Sequence, residues 1–201
     1  MAAHGAIKAN SVPGYEIDPH TGWPYNGTPP FTGISQPCCP RPSPFQGDVL
    51  VELRRNIAKH KLAEGGIVSV ALGPMSAELI EHFGLLDFDA IWLEGEHGPV
   101  DYGDVPDLTR ACDLWGKSSI VRVNQHESGV IYRTLDVGAQ GIAVPHVNTA
   151  EEATSIVDAA KFAPIGHRGS ATSRQGIGVE NYFDKANDET MIVVLIEDIV
   201  V

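Results

Sequence analysis

Basic residues are scarce in this chain. Lysine and arginine total 14 against 26 aspartates and glutamates, which leaves a formal net charge of −12. A nucleic-acid partner leaves a basic footprint, and the acidic balance argues against one. Cysteine is also rare: Cys38, Cys39 and Cys112 are an adjacent pair and one lone thiol, neither a disulfide framework nor a zinc pattern. This usage implies a reducing, cytoplasmic setting. No stretch approaches the roughly 18 apolar residues of a membrane helix, so no membrane partner is expected. No basic segment followed by an apolar core opens the chain, so a secretory signal is not expected either. A Gly-x-Gly-x-x-Gly after the first strand is absent, and Gly73-Pro74 is not a phosphate loop. That lowers the odds of a nucleotide-binding sheet.

What is present divides by composition. Residues 1–47 hold Pro13, Pro19, Pro24, Pro29, Pro30, Pro37, Pro40, Pro42 and Pro44 among glycines, asparagines and threonines. Proline fixes φ and removes a donor, so this stretch is neither a regular helix nor a central strand. It reads as an extended or disordered arm, with Tyr15, Trp23, Tyr25 and Phe31 available to pin it to a surface.

Residues 48–201 are regular. Leu50, Leu53 and Ile57 predict an amphipathic helix ending near Gly65-Gly66, and Ile67–Leu72 a short strand. Met75, Leu79, Ile80 and Phe83 fall at helical spacing, with Gly84 as C-terminal cap. A strand over 89–94 precedes a helix started by Asp101 and Asp104, whose buried stripe is Val105, Leu108, Cys112 and Trp115. A strand over 119–123 and a helix through Val130, Ile131 and Leu135 follow, then a buried strand from Gly141 to Val147. Thr149 and Glu152 form a capping box for the next helix. A glycine-rich segment, a short helix around Tyr182 and Phe183, and a strand over 191–196 complete the pattern. Near-continuous apolar strands alternating with helices mean a parallel α/β sheet covered on both faces. Periodicity alone leaves open sheet and closed barrel unresolved.

Several residues could carry chemistry. Asp89-Ala90-Ile91-Trp92-Leu93 ends in Glu94-Gly95-Glu96-His97-Gly98, at a strand's carboxyl edge, where barrel enzymes keep their sites. An imidazole beside acids suits proton transfer, although a loop histidine also occurs without function. His146 is a weaker candidate of the same kind. Alternation puts Ile120, Arg122 and Asn124 on one face, so Arg122 points away from the helices. There it either pairs with Glu94 or Glu96 or meets a ligand. Glu197 ends the last strand and is either a cation ligand or a solvated acid. Ser170, Thr172 and Ser173 could donate to an anion or simply turn the chain.

Together these segments resemble the HpcH/HpaI aldolases, metal-dependent pyruvate aldolases that include macrophomate synthase. The matching stretches are Asp89 to Pro99, Val121-Arg122-Val123, the run from Leu135 to Ala153, Pro164 to Gly169, and Leu195-Ile196-Glu197. The resemblance covers roughly residues 50–201 and implies a (β/α)8 TIM barrel of the phosphoenolpyruvate/pyruvate type, of which this chain holds about the first five strands. It implies a carbon–carbon lyase that cleaves or forms 4-hydroxy-2-oxo acids through a metal-bound pyruvate enolate. The implied cofactor is a divalent metal ion, Mg²⁺, Mn²⁺ or Co²⁺. The implied partners are pyruvate, or another small 2-oxo acid, and an aldehyde, in a homo-oligomer, usually a hexamer. By this resemblance Glu197 is a metal ligand, Arg122 binds the keto oxygen and His97 moves the proton. Glu94 stands where the family has an aspartate that orients this histidine, and Leu195 where a glutamine is common. The family's second metal carboxylate lies on the next strand, beyond Val201. The chain is therefore expected either to be a fragment of a longer protein or to take three strands from elsewhere, and by itself to bind metal poorly and associate. A rival reading is a non-catalytic half-barrel serving assembly. A CoA-dependent lyase of the same superfamily would want a basic cluster for the CoA phosphates, and none is visible.

Overall fold

In the computed structural model the chain divides into two units, Met1–Asp48 and Val49–Val201. The structure describes residues 51–73 and 76–198, together with the backbone of 16–17 and 24–25. In the first unit β1 (Glu16–Ile17) and β2 (Pro24–Tyr25) pair antiparallel, with Glu16 opposite Tyr25. The expectations of a disordered arm, of aromatic anchors, and for Cys38 and Cys39 otherwise lie outside the described residues.

In the second unit, β3 (Val70–Leu72), β4 (Ala90–Glu94), β5 (Ser118–Arg122), β6 (Gly141–Val144) and β7 (Met191–Val194) form a parallel sheet in sequential order. Helices α1 (Ile57–Ala63), α2 (Ala77–Gly84), α3 (Val105–Leu114), α4 (Ser128–Asp136), α5 (Ala150–Ala160) and α6 (Tyr182–Glu189) alternate with the strands. Period-2 alternation divides each strand between two cores. Ile91, Leu93, Val121, Ile142 and Val144 pack under the helices, with Ile80, Leu108, Ile131 and Ile156. Ala90, Ile120, Ala143, Trp92 and Val193 face the other way and meet Ala58 of α1. The Ala58 N–H donates to Ser118 Oγ at 3.1 Å, so α1 lies across the amino-terminal edge of the sheet. The capping box holds: Thr149 accepts from the Glu152 N–H, and the Glu152 carboxylate accepts from the Thr149 N–H.

Some local expectations shift. The first helix begins only after Asn56, whose side chain accepts from the Lys59 N–H, and it buries Ala58 rather than Ile57. Asn56 also donates to the carbonyls of Gln140 and Glu189 at 3.0 Å each, which holds the helix start in place. The first strand of the sheet is shorter than expected, and Ile67 is 87% exposed. Gly84 is the last residue of α2 rather than a left-handed cap; a Cβ there would overlap the Trp115 ring. Trp115 accordingly covers α2 and stays partly exposed. The strand expected to run to Val147 ends at Val144. Leu50 and Met75 lie outside the described residues.

Candidate functional site

The carboxyl-terminal edge of β4–β7 gathers the candidate residues. Register pairs Glu94 with Arg122 across β4 and β5. Arg122 leaves β5 on the face of Ile120, away from the helices, as alternation predicts. Its Nη2 stands 2.5 Å from Glu96 Oε2 and donates to Glu197 Oε1 at 2.9 Å, while Nη1 is 3.6 Å from Glu94 Oε2. One guanidinium thus serves three carboxylates. The contact to Glu96 is a charge contact rather than an aligned hydrogen bond, because Glu96 Oε2 and Arg122 Nε are buried without hydrogen-bond partners.

Glu94 builds the loop beneath this cluster. Its Oε1 accepts from the N–H groups of Glu96 and His97 at 3.0 and 3.1 Å, and its Oε2 accepts from the Trp92 indole at 3.0 Å. Burial pushes the Glu94 carboxyl up, but the indole, the two N–H groups and Arg122 outweigh it and hold the group below its ordinary value. Gly95 and Gly98 allow the tight path: a Cβ at Gly95 would press on the Arg122 carbonyl, and one at Gly98 on Glu94. Glu94 therefore grips the backbone of His97 and not its ring. The imidazole is 74% exposed at the mouth, 3.7 Å from Glu96 Oε2.

Glu197 follows β7 and also accepts from the His146 N–H at 3.1 Å. The His146 ring sits between acids, 3.5 Å from Glu96 Oε1 and 3.6 Å from Glu197 Oε2. Glu96, which the sequence reading offers only as an ion-pair partner, lies at the centre. Continuing the alternation of β4 one step past Trp92 and Glu94 would have placed it there. The loop of Ser170, Thr172 and Ser173 is anchored elsewhere. Arg174 donates to the Val137 carbonyl at 3.1 Å and Gln175 to the Gly138 carbonyl at 2.8 Å, both beyond the end of α4. Ser173 Oγ is tied to the Tyr182 hydroxyl at 2.5 Å. That loop is at the opposite edge from Arg122.

The cluster carries an excess of carboxylate over cation, and Glu96 keeps a buried oxygen without a hydrogen bond. Hard oxygen donors around a polar mouth fit a divalent cation such as Mg²⁺ or Mn²⁺, which commonly takes one or two carboxylates plus substrate and water. Among the described residues no three histidine, cysteine or acidic side chains converge as a complete metal site. Glu197, the most exposed of the three acids around Arg122, would be the ligand such an ion meets. A cavity of about 200 Å³ lies between β4–β5 and α3–α4. Val121 and Val123 line it from the helix-facing side, and Gly95, Arg122 and Asn124 also border it. Among the described residues no helix is long and apolar enough to cross a membrane.

The model of one protein family, HpcH/HpaI aldolase/citrate lyase, matches residues 70–199. The 4-hydroxy-2-oxovalerate aldolase of Novosphingobium aromaticivorans is 40% identical over 114 residues, 55% of this chain and 43% of that protein. The 2-dehydro-3,6-dideoxy-6-sulfogluconate aldolase of Pseudomonas putida is 34% identical over 126 residues, 61% of this chain and 49% of that protein. The crystal structure of an HpcH/HpaI aldolase/citrate lyase family protein from Burkholderia cenocepacia J2315 superposes with a TM-score of 0.63 at 27% identity. It covers 69% of this chain and 58% of that one. The chain spans about half the length of the curated relatives it matches.

Proposed function

This chain belongs to the HpcH/HpaI aldolase/citrate lyase family, and on that premise we propose that it carries the 2-oxo-acid site of a carbon–carbon lyase. Its five parallel strands are successive staves of the family's TIM barrel. The proposed reaction cleaves or forms a 4-hydroxy-2-oxo acid, with pyruvate as one product and an aldehyde as the other. The observation that supports this reading most is the Arg122 guanidinium held at the strand edge among Glu94, Glu96 and Glu197.

In cleavage the C4 hydroxyl loses its proton and the C3–C4 bond breaks. The bonding pair moves into the 2-oxo group, giving the aldehyde and the enolate of pyruvate, which is then protonated at C3. When bound at this edge, a divalent metal would supply Lewis acidity to the reaction. Glu197 would hold it, and the carboxylate surplus around Arg122 supports that assignment. Arg122 donates to the keto oxygen, where negative charge develops. In this proposal His97 moves the proton; its exposure at the mouth and the bond from its N–H to Glu94 support that role. The homo-oligomer belongs to this proposal as well. A second reading, an assembly module, draws support from the apolar residues exposed on and just beyond the outer strands, Leu72 at 68% and Ile196 at 79%.

The test is pyruvate release, in a coupled assay, from a panel of 4-hydroxy-2-oxo acids with and without Mn²⁺, beside Arg122→Ala. Metal-dependent turnover lost in the variant supports the lyase. An absence of turnover from the chain, also when it is extended to the length of its relatives, leaves the assembly module as the better reading.

A further inference from the structure

Between β6 and β7 the backbone ladder is interrupted. Leu195 N–H donates to the Val144 carbonyl at 2.9 Å and Val147 N–H to the Leu195 carbonyl at 3.0 Å, with Pro145 and His146 between. Pro145 is buried and has no N–H to give. The donor in this gap is the His146 N–H, and it turns out of the ladder to the Glu197 carboxylate, 3.1 Å away. It does so with φ at +55°, a left-handed conformation. Non-glycine residues rarely adopt it, although histidine does so more readily than most. Such outliers persist where the surroundings hold them, and they cluster at functional sites. The imidazole does not explain the arrangement. It is 58% exposed and lies 3.5 and 3.6 Å from its nearest acidic oxygens, outside hydrogen-bond reach of both.

We propose that His146 is a positioning residue acting through its backbone: the left-handed turn aims its N–H at Glu197 and thereby sets where that carboxylate stands relative to Arg122. The inference rests on reading this edge as the 2-oxo-acid site. A carboxylate held by a fixed amide on one side and a guanidinium on the other has little freedom to rotate. The chemistry at the edge then meets it in one orientation. Position 146 accordingly needs a residue that tolerates positive φ, and it does not need an imidazole.

Three variants separate backbone from ring. His146→Gly and His146→Asn keep the left-handed turn, whereas the β-branched His146→Val opposes it. Pyruvate release should stay near wild type in the Gly and Asn variants. In His146→Val it should fall on the order of 10-fold to 100-fold, in kcat more than in KM, as expected for misplacing a charge-assisted hydrogen bond. A second readout needs neither metal nor substrate. In ¹⁵N-labelled protein the amide of residue 146 should exchange with deuterium on the order of 10-fold faster in Glu197→Ala than in wild type. Loss of turnover in His146→Gly equal to that in His146→Val would overturn the proposal by assigning the role to the ring. So would an exchange rate at residue 146 unchanged by Glu197→Ala. If wild type releases no pyruvate, the 2-oxo-acid reading fails, and amide exchange alone decides whether His146 positions Glu197.

Discussion

The two edges of one sheet are wired in opposite senses. At the amino-terminal edge, acids are well supplied with cations. Asp89 takes both oxygens to Lys61 Nζ, at 2.7 and 2.8 Å, which ties α1 to the start of β4. Asp113 meets two arginines, Arg54 at 2.7 Å and Arg174 at 2.6 Å, which tie the end of α3 to distant segments. Lys59 and Lys161 both donate to carbonyls at the end of α6, among them that of Asn187. At the carboxyl-terminal edge the ratio reverses: one arginine faces Glu94, Glu96 and Glu197, and a backbone amide is turned out of its ladder to serve an acid. A surplus of carboxylate is a poor way to hold a fold together and a good way to wait for a cation or a substrate proton. The division matches the barrel rule that stability resides at one end of the strands and chemistry at the other.

Substitutions on either side can break that comparison. The largest effect is expected at Arg122→Ala, which should lower kcat/KM for pyruvate release by about 10²–10³-fold, the cost of losing a donor to a developing oxyanion. A variant that melts lower yet turns over normally would move Arg122 to the structural side. Asp113→Ala is the counterpart at the other edge. It strands two part-buried guanidiniums and should cost about 3–5 kcal/mol in urea unfolding while turnover per folded molecule is kept. If activity falls more than stability, the edges are not separable.

Smaller effects sharpen the same contrast. Gly84→Ala forces a methyl into the Trp115 ring and should cost about 1–3 kcal/mol by overpacking, read as a lowered melting temperature with unchanged substrate affinity. The smallest is a pH effect. The Lys61 ammonium, with help from Ser69, holds the Asp89 carboxyl down at about 2, against an ordinary value of 3.8. Because the folded value is depressed, the ionised pair stabilises the protein above pH 3.8, and its contribution is lost as pH falls through about 2. The melting difference between wild type and Asp89→Asn should therefore be full near neutrality and shrink across that window. A constant difference would mean that Asp89 gains nothing from its charge.

Much of this was legible in the sequence where periodicity had nothing to compete with it. The runs Ala90–Leu93 and Ile120–Val121 carry apolar side chains on both faces, and they lie in neighbouring parallel strands. The Thr149–Glu152 box starts its helix where expected. The direction of Arg122 followed from alternation alone. The first helix was misplaced because Leu50, Leu53 and Ile57 imitate a buried stripe, whereas its start is set by long-range bonds from Asn56 to Gln140 and Glu189. Gly84 was assigned to capping because its real constraint, the ring of Trp115, comes from another helix. The centrality of Glu96 was missed because it sits past the end of a strand, where alternation is not usually carried. The turn at His146 leaves no composition signal, since the partner of its N–H is a carboxylate 51 residues later.

The most direct test of the contrast between edges is calorimetric titration of oxalate, a planar mimic of the pyruvate enolate, into the protein with Mn²⁺, repeated on Arg122→Ala and Asp113→Ala. Binding that survives in folded Asp113→Ala and vanishes in Arg122→Ala is the predicted result. Equal binding by Arg122→Ala and wild type would contradict the assignment of the carboxyl edge as the 2-oxo-acid site.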